Sequence, residues 1–394
     1  MALLVLLVTT ITVARSQPIP SEQLINKGIT LHDDERYEEA LRTYRLVHEN
    51  DSNYTWMLAQ MAYCYLAMEK YDSAIYVANK GLSIPNPNHQ HMLRTKGTAY
   101  DYAGDPSKAV EVYRGAIDRF PYSHLLHFNL GITYLKQDDN QNALSCFQEA
   151  LRCNPYHSSS HMQLGMLAAR QGQYTKALMS LITFLAIEPS SGRSNEVLVY
   201  IENLSSNYLD PSKGLPIEPF DDNEAFHEVD HLIRSKVVLS DRFKPIIDFD
   251  ANLVKQIQMM MEFLPYNAST DDFWVQLYMP FFRTVRDGNH LVPLLYTILQ
   301  SSGRASIVDY HQKHQKDLGA FYRTGTMIGR IRSNRRVTID GMEGIYACDY
   351  YDNGNLYSLG NRDAHGREHG PWRYFYSNGE TMSKGRYVNG MKDG

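Results

Sequence analysis

Cysteine is scarce: the 394 residues hold four, Cys64, Cys146, Cys153 and Cys348, with no C-x-x-C pair. Cys146 and Cys153 are seven apart in a helical stretch, roughly 10 Å along the axis, which is too far for a disulfide. The thiols therefore read as small buried apolar groups, not as a staple or a metal site. Positive charge is not in excess either. The net charge is −5, so no global basic field draws the chain to nucleic acid. Also lacking are a G-x-S-x-G elbow, a phosphate-binding G-x-x-x-x-G-K loop and a cysteine in a nucleophile setting. Beyond the N-terminus no segment holds a membrane-length uninterrupted apolar run, so no membrane span is expected in the mature chain. No cofactor signature is found, and none is expected to bind.

What is present begins with MALLVLLVTTITVARSQ. An apolar run from Ala2 to Val13 precedes Ala14-Arg15-Ser16, the small-x-small pattern of a signal peptidase site. Residues 1–16 read as a signal peptide, cut before Gln17. Length allows two or three domains, and the 43% hydrophobic and 21% charged composition is that of a folded protein.

Self-similarity then takes over. Gly28, Ala62, Gly97, Gly131 and Gly165 follow one another at steps of 34 or 35, and Ala40, Ala74, Ala109, Ala143 and Ala177 each lie twelve positions later. Pro121, Pro155 and Pro189 close three of the units. Each unit reads as two amphipathic helices, with the small residues where the pair approaches most closely and Tyr100, Tyr113, Tyr134 and Phe147 filling the gaps beside them. Asp105-Pro106 caps and starts one second helix. One pair cannot bury its apolar face alone, but five stacked pairs can. The run LGITYLKQDDNQNALSCFQEALRCNP, with Leu130, Gly131, Tyr134, Ala143, Phe147, Ala150 and Pro155, resembles the tetratricopeptide repeat. The resemblance covers residues 21–190. It implies a mainly α fold, an α-solenoid that binds a peptide or protein segment in a concave groove lined by the first helix of each pair. On this chain that groove maps to Trp56, Tyr63, His91, Arg94, Tyr102, Phe128, Met162, Met166 and Arg170. Aromatic, methionine and arginine side chains are those that binding surfaces favour. Ile25 and Ile29 stand where a chaperone-tail clamp would need lysine and asparagine.

Residues 191–222 read as a capping helix, NEVLVYIENL, followed by a linker with three prolines. A helical domain is expected over 223–325. In it Leu253, Ile257, Met260, Met261 and Leu264 form one apolar stripe, and Ser269, Thr270 and Asp271 offer caps for the next helix. The segment FHEVDH contains His227-Glu228-x-x-His231, a spacing that on a helix could grip zinc with the glutamate as general base. Phe226, Val229, Ile233 and Val237 form the core stripe, and Asp230 intrudes where zinc proteases carry an uncharged residue. A third ligand is required, and Asp248, Asp250 or His290 can be nominated, but no downstream motif places any of them. The favoured reading is a solvated helix flank with Glu228 and Asp230 exposed. RTGTMIGRIRSNRR, 323–336, is a locally basic linker.

From 337 to 394 the period changes. Asn353-Gly354 and Gly360 recur 25 residues later as Asn378-Gly379 and Gly385. Asn-Gly between aromatic-rich runs predicts a short row of antiparallel β-hairpins. Gly370, Trp372, Tyr376, Asn378 and Gly379 resemble the bacterial variant of the MORN repeat, and the last unit reads as truncated. Together the resemblances imply a non-enzymatic scaffold or adaptor with a protein or peptide partner, exported to the periplasm or outer envelope of a Gram-negative bacterium. The competing readings are a zinc hydrolase at His227, Glu228 and His231, and an envelope protein that self-associates through its hairpins.

Overall fold

The computed structural model describes residues 19–85, 89–207, 226–234, 244–247, 249, 252–266, 272–325, 334–339, 342–351, 355–363, 365–376 and 380–393. The expected signal peptide, the proline-rich linker and both Asn353-Gly354 and Asn378-Gly379 lie outside these residues. The chain divides into two compact units, one up to Val112 and one from Tyr113 onward.

Ten helices alternate in the order the repeat predicts: α1 (Ser21–Asp33), α2 (Tyr37–Tyr44), α3 (Tyr54–Ala67), α4 (Tyr71–Leu82), α5 (His89–Tyr102), α6 (Pro106–Arg119), α7 (His124–Lys136), α8 (Asn140–Cys153), α9 (Ser158–Arg170) and α10 (Tyr174–Ile187). The periodic small residues do what their spacing implies. A Cβ on Gly28 would lie 2.1 Å from the Tyr44 ring, and one on Gly131 2.7 Å from Phe147. The second helix's large side chain thus fills the space that the first helix leaves empty. The turns between paired helices need a left-handed residue, supplied by Glu35, Glu69, Gly104, Asp138 and Gly172. Asp105 caps its second helix as expected, accepting from the Lys108 backbone N–H at 3.1 Å, and Asp139 does the same for α8 with the Asn142 N–H at 3.2 Å.

A second device repeats with the same period. In the second unit, His127 Nε2 meets the Pro121 carbonyl at 2.9 Å and His161 Nε2 meets the Pro155 carbonyl at 2.8 Å. A carbonyl only accepts, so both imidazoles donate through Nε2. Each one satisfies the carbonyl of the proline that turns the chain into the next pair.

Helix α10 is buried from Tyr174 to Leu185, on every side. An ordinary terminal repeat would expose its outer face. Here α11 (Gly192–Asn207), α12 (His227–Arg234), α13 (Asn252–Phe263), α14 (Phe273–Asp287) and α15 (Leu291–Ile298) follow, and α11, α12, α14 and α15 pack against it. The predicted stripe Leu253, Ile257, Met260, Met261 and Leu264 is buried, joined by Val254, Lys255, Gln256 and Met259. Polar bonds fix the docking. The Tyr174 and Ser205 hydroxyls both donate to Gln256 Oε1 at 2.6 Å. Tyr278 reaches His161 Nδ1 at 2.8 Å while its oxygen accepts from Ser180 at 2.9 Å. The cap of α14 is Asp272, which accepts from Val275 N–H at 2.9 Å. The capping candidates Ser269, Thr270 and Asp271 lie one to three residues upstream, outside the described residues. Helices α16 (Ala305–Lys313) and α17 (Gln315–Gly325) complete the helical part.

The C-terminal part is one antiparallel meander in the order β1 (Asn334–Ile339), β2 (Met342–Tyr350), β3 (Leu356–Arg362), β4 (Glu368–Phe375), β5 (Thr381–Val388) and β6 (Met391–Lys392). Beside the two predicted hairpin turns the chain is closed by backbone bonds of 2.8 Å, Tyr351 to Asn355 and Tyr376 to Glu380. A further Asn-Gly turn, Asn389-Gly390, has φ of 54° and 83° and joins β5 to β6. The Trp372 ring lies flat on Gly360, where a Cβ would come within 2.1 Å, and its Nε1 donates to the Asn361 carbonyl at 2.9 Å. Cys348, Leu356, Leu359 and Phe375 form one buried cluster with Tyr122 and Cys153. Tyr350 donates to the Arg152 carbonyl at 2.9 Å, and Asn355 Oδ1 accepts from Asn154 Nδ2 at 3.0 Å. The sheet is therefore fastened to the turn after α6 and the end of α8.

Two consequences can be measured. Gly131→Val should destabilise the second unit by about 1–3 kcal/mol in urea denaturation, because the added methyls meet Phe147. Burial also holds the His161 imidazole down from 6.5 to about 4. Above the unfolded value both states are neutral and the full stability is present. As pH falls from 6.5 toward 4, the unfolded chain takes up a proton that the folded chain refuses. That loss should approach roughly 3 kcal/mol for this group. Replacing His161 with Gln should flatten the slope of stability against pH in this window.

Candidate protein-interaction surface

The mapped groove residues fall on the first helices of their pairs. In the first unit, Tyr63 on α3 and Tyr102 on α5 are exposed, at 41% and 55%. Trp56, His91 and Arg94 are half-buried. Trp56 is partly spent on structure, since it packs on the core that contains Met57, Leu58 and Tyr44. Tyr63 stacks on His32 with ring centroids 4.8 Å apart and meets the edge of His91 at 6.0 Å. Tyr37 adds a further edge contact to His32 at 5.3 Å. A ladder of rings thus crosses α1, α3 and α5. Burial first, then the nearby Arg94, holds His91 down at about 4, so this ladder carries no imidazolium charge on His91 at neutral pH. Tyr102 touches the edge of Tyr71 at 6.2 Å.

In the second unit, Phe128 on α7 and Met162 and Met166 on α9 are half-buried, and Arg170 is exposed. Phe128 sits between Phe147 at 5.7 Å and His157 at 4.8 Å. His157 accepts or donates at Ser160 Oγ, 2.7 Å away, and burial together with Arg193 holds its ring at about 4. The residues are apolar and adaptable, with thioethers that can follow a ligand's contour. Sequence reasoning did not name His32 or His157, the rings on which Tyr63 and Phe128 lean. Their position beside the mapped residues on neighbouring helices was the available signal.

The HEVDH segment takes a form that corrects one expectation. His227 and His231 do share a face of α12, with rings 4.6 Å apart, and Glu228 is exposed. Asp230, expected in solvent, is only 4% exposed. Its Oδ1 accepts from the Thr175 backbone N–H at 2.6 Å and from the Thr175 hydroxyl. Thr175 lies in the first turn of α10, so Asp230 satisfies a helix N-terminus in trans and places its charge at the positive end of the dipole. Lys176 lies alongside, over the Trp274 ring at 5.6 Å. Burial pushes its ammonium down, opposed by Asp272 and Asp230. Among the described residues no group of three or more His, Cys, Asp or Glu is gathered as a metal site would need. Asp248 and Asp250 lie outside the described residues, and His290 stands at the start of α15 with its ring 6.1 Å from Phe321. The charged residue that breaks the zinc pattern is the one that ties the helical extension to the last repeat.

The family model described as tetratricopeptide repeat matches residues 94–158 and 128–191. The chain carries tetratricopeptide repeats, arranged as helix-turn-helix pairs. No curated protein matches. Among solved structures, TTC0263, a thermophilic TPR protein of Thermus thermophilus, is 18% identical, covers 47% of this chain and 98% of its own, and has a TM-score of 0.40. MamA from Desulfovibrio magneticus RS-1 is 21% identical, with 44% and 97% covered and a TM-score of 0.35. YrrB, described as a TPR protein with an unusual peptide-binding site, is 20% identical, with 47% and 92% covered and a TM-score of 0.34.

The corrected role of Asp230 has a direct test. Asp230→Ala should cost about 2 kcal/mol or more of stability, since it strips a buried cap and leaves the Thr175 donors unmet. Glu228→Ala and His231→Ala should each change stability by less than about 0.5 kcal/mol, as exposed positions do. Chemical denaturation of the three variants decides it.

Proposed function

We propose that this chain is a non-catalytic interaction scaffold that holds a peptide or protein segment on the first helices of its repeats. The observation that carries this reading is the exposure of Tyr63, in a run of rings across three successive first helices, and of Tyr102 on the third of them. Large aromatics that a helical stack leaves in solvent are typical anchors for a partner. The same helices in the second unit keep Phe128, Met162 and Met166 half-buried, ready to lose their remaining exposure on binding. The apolar N-terminal run and its small-x-small site support export, and the tetratricopeptide and MORN-like sequence patterns support a bacterial envelope location. The hairpin sheet, fixed to the repeats by its buried cluster, serves as a second module of the scaffold. Among the described residues no helix is long and apolar enough to cross a membrane.

The test is site-specific photocrosslinking in the native host. A benzophenone side chain at position 63 or 128 should capture the same partner, and one at Tyr76 should not. Tyr76 lies on the second helix of its pair and is 71% exposed. Capture from position 76 alone, or of unrelated proteins from 63 and 128, would contradict the reading.

A further inference from the structure

Two thiols of the second unit have no part in the groove. Cys153 ends α8 and Cys348 lies in β2, nearly two hundred positions apart in the sequence. The fold brings both into one cluster of six buried residues, with Tyr122, Leu356, Leu359 and Phe375, where they are 1% and 0% exposed. The chain is pinned on both sides of Cys153. Its neighbours Arg152 and Asn154 are each bonded to the hairpin that carries Cys348, one to Tyr350 at 2.9 Å and the other to Asn355 at 3.0 Å. Tyr350 is two residues from Cys348 and so shares its face of β2, and the cross-strand partners of the two are Leu356 and Leu359 of the same cluster. From the helix side, Cys153 Sγ lies 3.9 Å from the Pro121 carbonyl, beside Tyr122, whose ring meets Phe375 at 4.8 Å. No disulfide joins the two cysteines in this structure. The other two are placed differently. Cys64 belongs to the first unit, where its thiol donates to the Tyr37 carbonyl at 3.4 Å. Cys146 is two turns back along α8. Burial pushes these two thiols up, to about 11 and about 12.

We propose that Cys153 and Cys348 form a disulfide that locks the sheet to the end of α8. Packing alone asks only for a small apolar side chain at each position. Cysteine at both adds one capability, a bond between them. The oxidant is a disulfide donor, a small molecule or a protein. One thiol loses its proton and attacks the donor, forming a mixed disulfide and expelling one donor thiolate. The second thiol loses its proton and attacks that mixed disulfide, forming the Cys153–Cys348 bond and expelling the other donor thiolate. The donor thus takes up two electrons and two protons. Both sulfurs are closed to solvent once the sheet has docked, so the exchange takes place while the chain folds, and the finished bond is shielded afterwards. An exported chain meets such donors, and for its oxidant in the cell the proposal rests on the export reading above.

The experiment makes the full chain cell-free in a buffer of glutathione and glutathione disulfide, and isolates the folded fraction by gel filtration. Remaining thiols are alkylated under denaturation, and the unreduced chain is cut with trypsin for mass spectrometry. Cleavage after Arg152 separates Cys146 from Cys153, so each pairing gives its own mass. A linked pair holding Cys153 and Cys348 is expected as the main product. Its reduction should be about tenfold or more slower in the native chain than in urea, because the docked sheet covers the bond. Reductant should lower the melting temperature of the oxidised chain by roughly 5 °C or more and leave that of Cys153→Ala unchanged. Recovery of Cys153 and Cys348 as alkylated thiols would overturn the proposal, as would pairing of either with Cys64 or Cys146. So would equal reduction rates with and without urea, or equal melting with and without reductant, since the bond would then not hold the docked sheet. None of these outcomes bears on the groove, which the crosslinking tests separately.

Discussion

Everything in the helical part depends on how closely two paired helices approach. Gly28 lies under the Tyr44 ring and Gly131 under Phe147, at distances where even a methyl group has no room. The missing side chain lets the backbone of one helix meet a large ring of the next. Repeating that contact sets the stacking, and within each unit stacking turns the first helices into a row of exposed and half-exposed side chains. On the proposed reading the binding surface is a by-product of packing. Side chains that face the partner helix make the core, and their neighbours on the same helix are left for a ligand.

A stack needs an end, and in this chain a helical extension supplies it. Helix α10 is as apolar as an interior helix, and the extension that covers it is held by directional bonds as well as by area. Asp230 on Thr175, Gln256 between Tyr174 and Ser205, and Tyr278 between His161 and Ser180 pin three separate helices to the last repeat. Such bonds are costly to leave half made in a buried setting, so they fix one docking pose among the many that apolar contact alone would tolerate. The sheet is fixed by a parallel logic at the turns of the middle repeats, through Phe375 on Tyr122 at 4.8 Å and Tyr350 on the Arg152 carbonyl.

How much of this could be read from sequence follows from the range of each interaction. The repeat, the cap at Asp105 and the apolar stripe on α13 are set by neighbours within a few residues, and local pattern exposes them. The hairpin row was legible for the same reason, although Asn389-Gly390 carried the same turn signal and went unread. Asp230 was misjudged because its partner Thr175 is 55 positions away, and no local pattern distinguishes a solvated aspartate from one that caps a distant helix. The candidate surface was legible in part. Helical register placed Tyr63, Tyr102 and Arg170 on first helices of their pairs, and all three are exposed. It could not show that Trp56 gives part of its area to the core, nor that His32 and His157 support the neighbouring rings.

The measurement that bears most directly on the central claim is hydrogen exchange of the full chain, alone and with the partner captured by crosslinking. The account predicts added protection in α3, α5, α7 and α9, with β3 to β5 and α12 to α17 unchanged. Protection confined to the sheet or to the helical extension would contradict it and move the interaction surface away from the repeats.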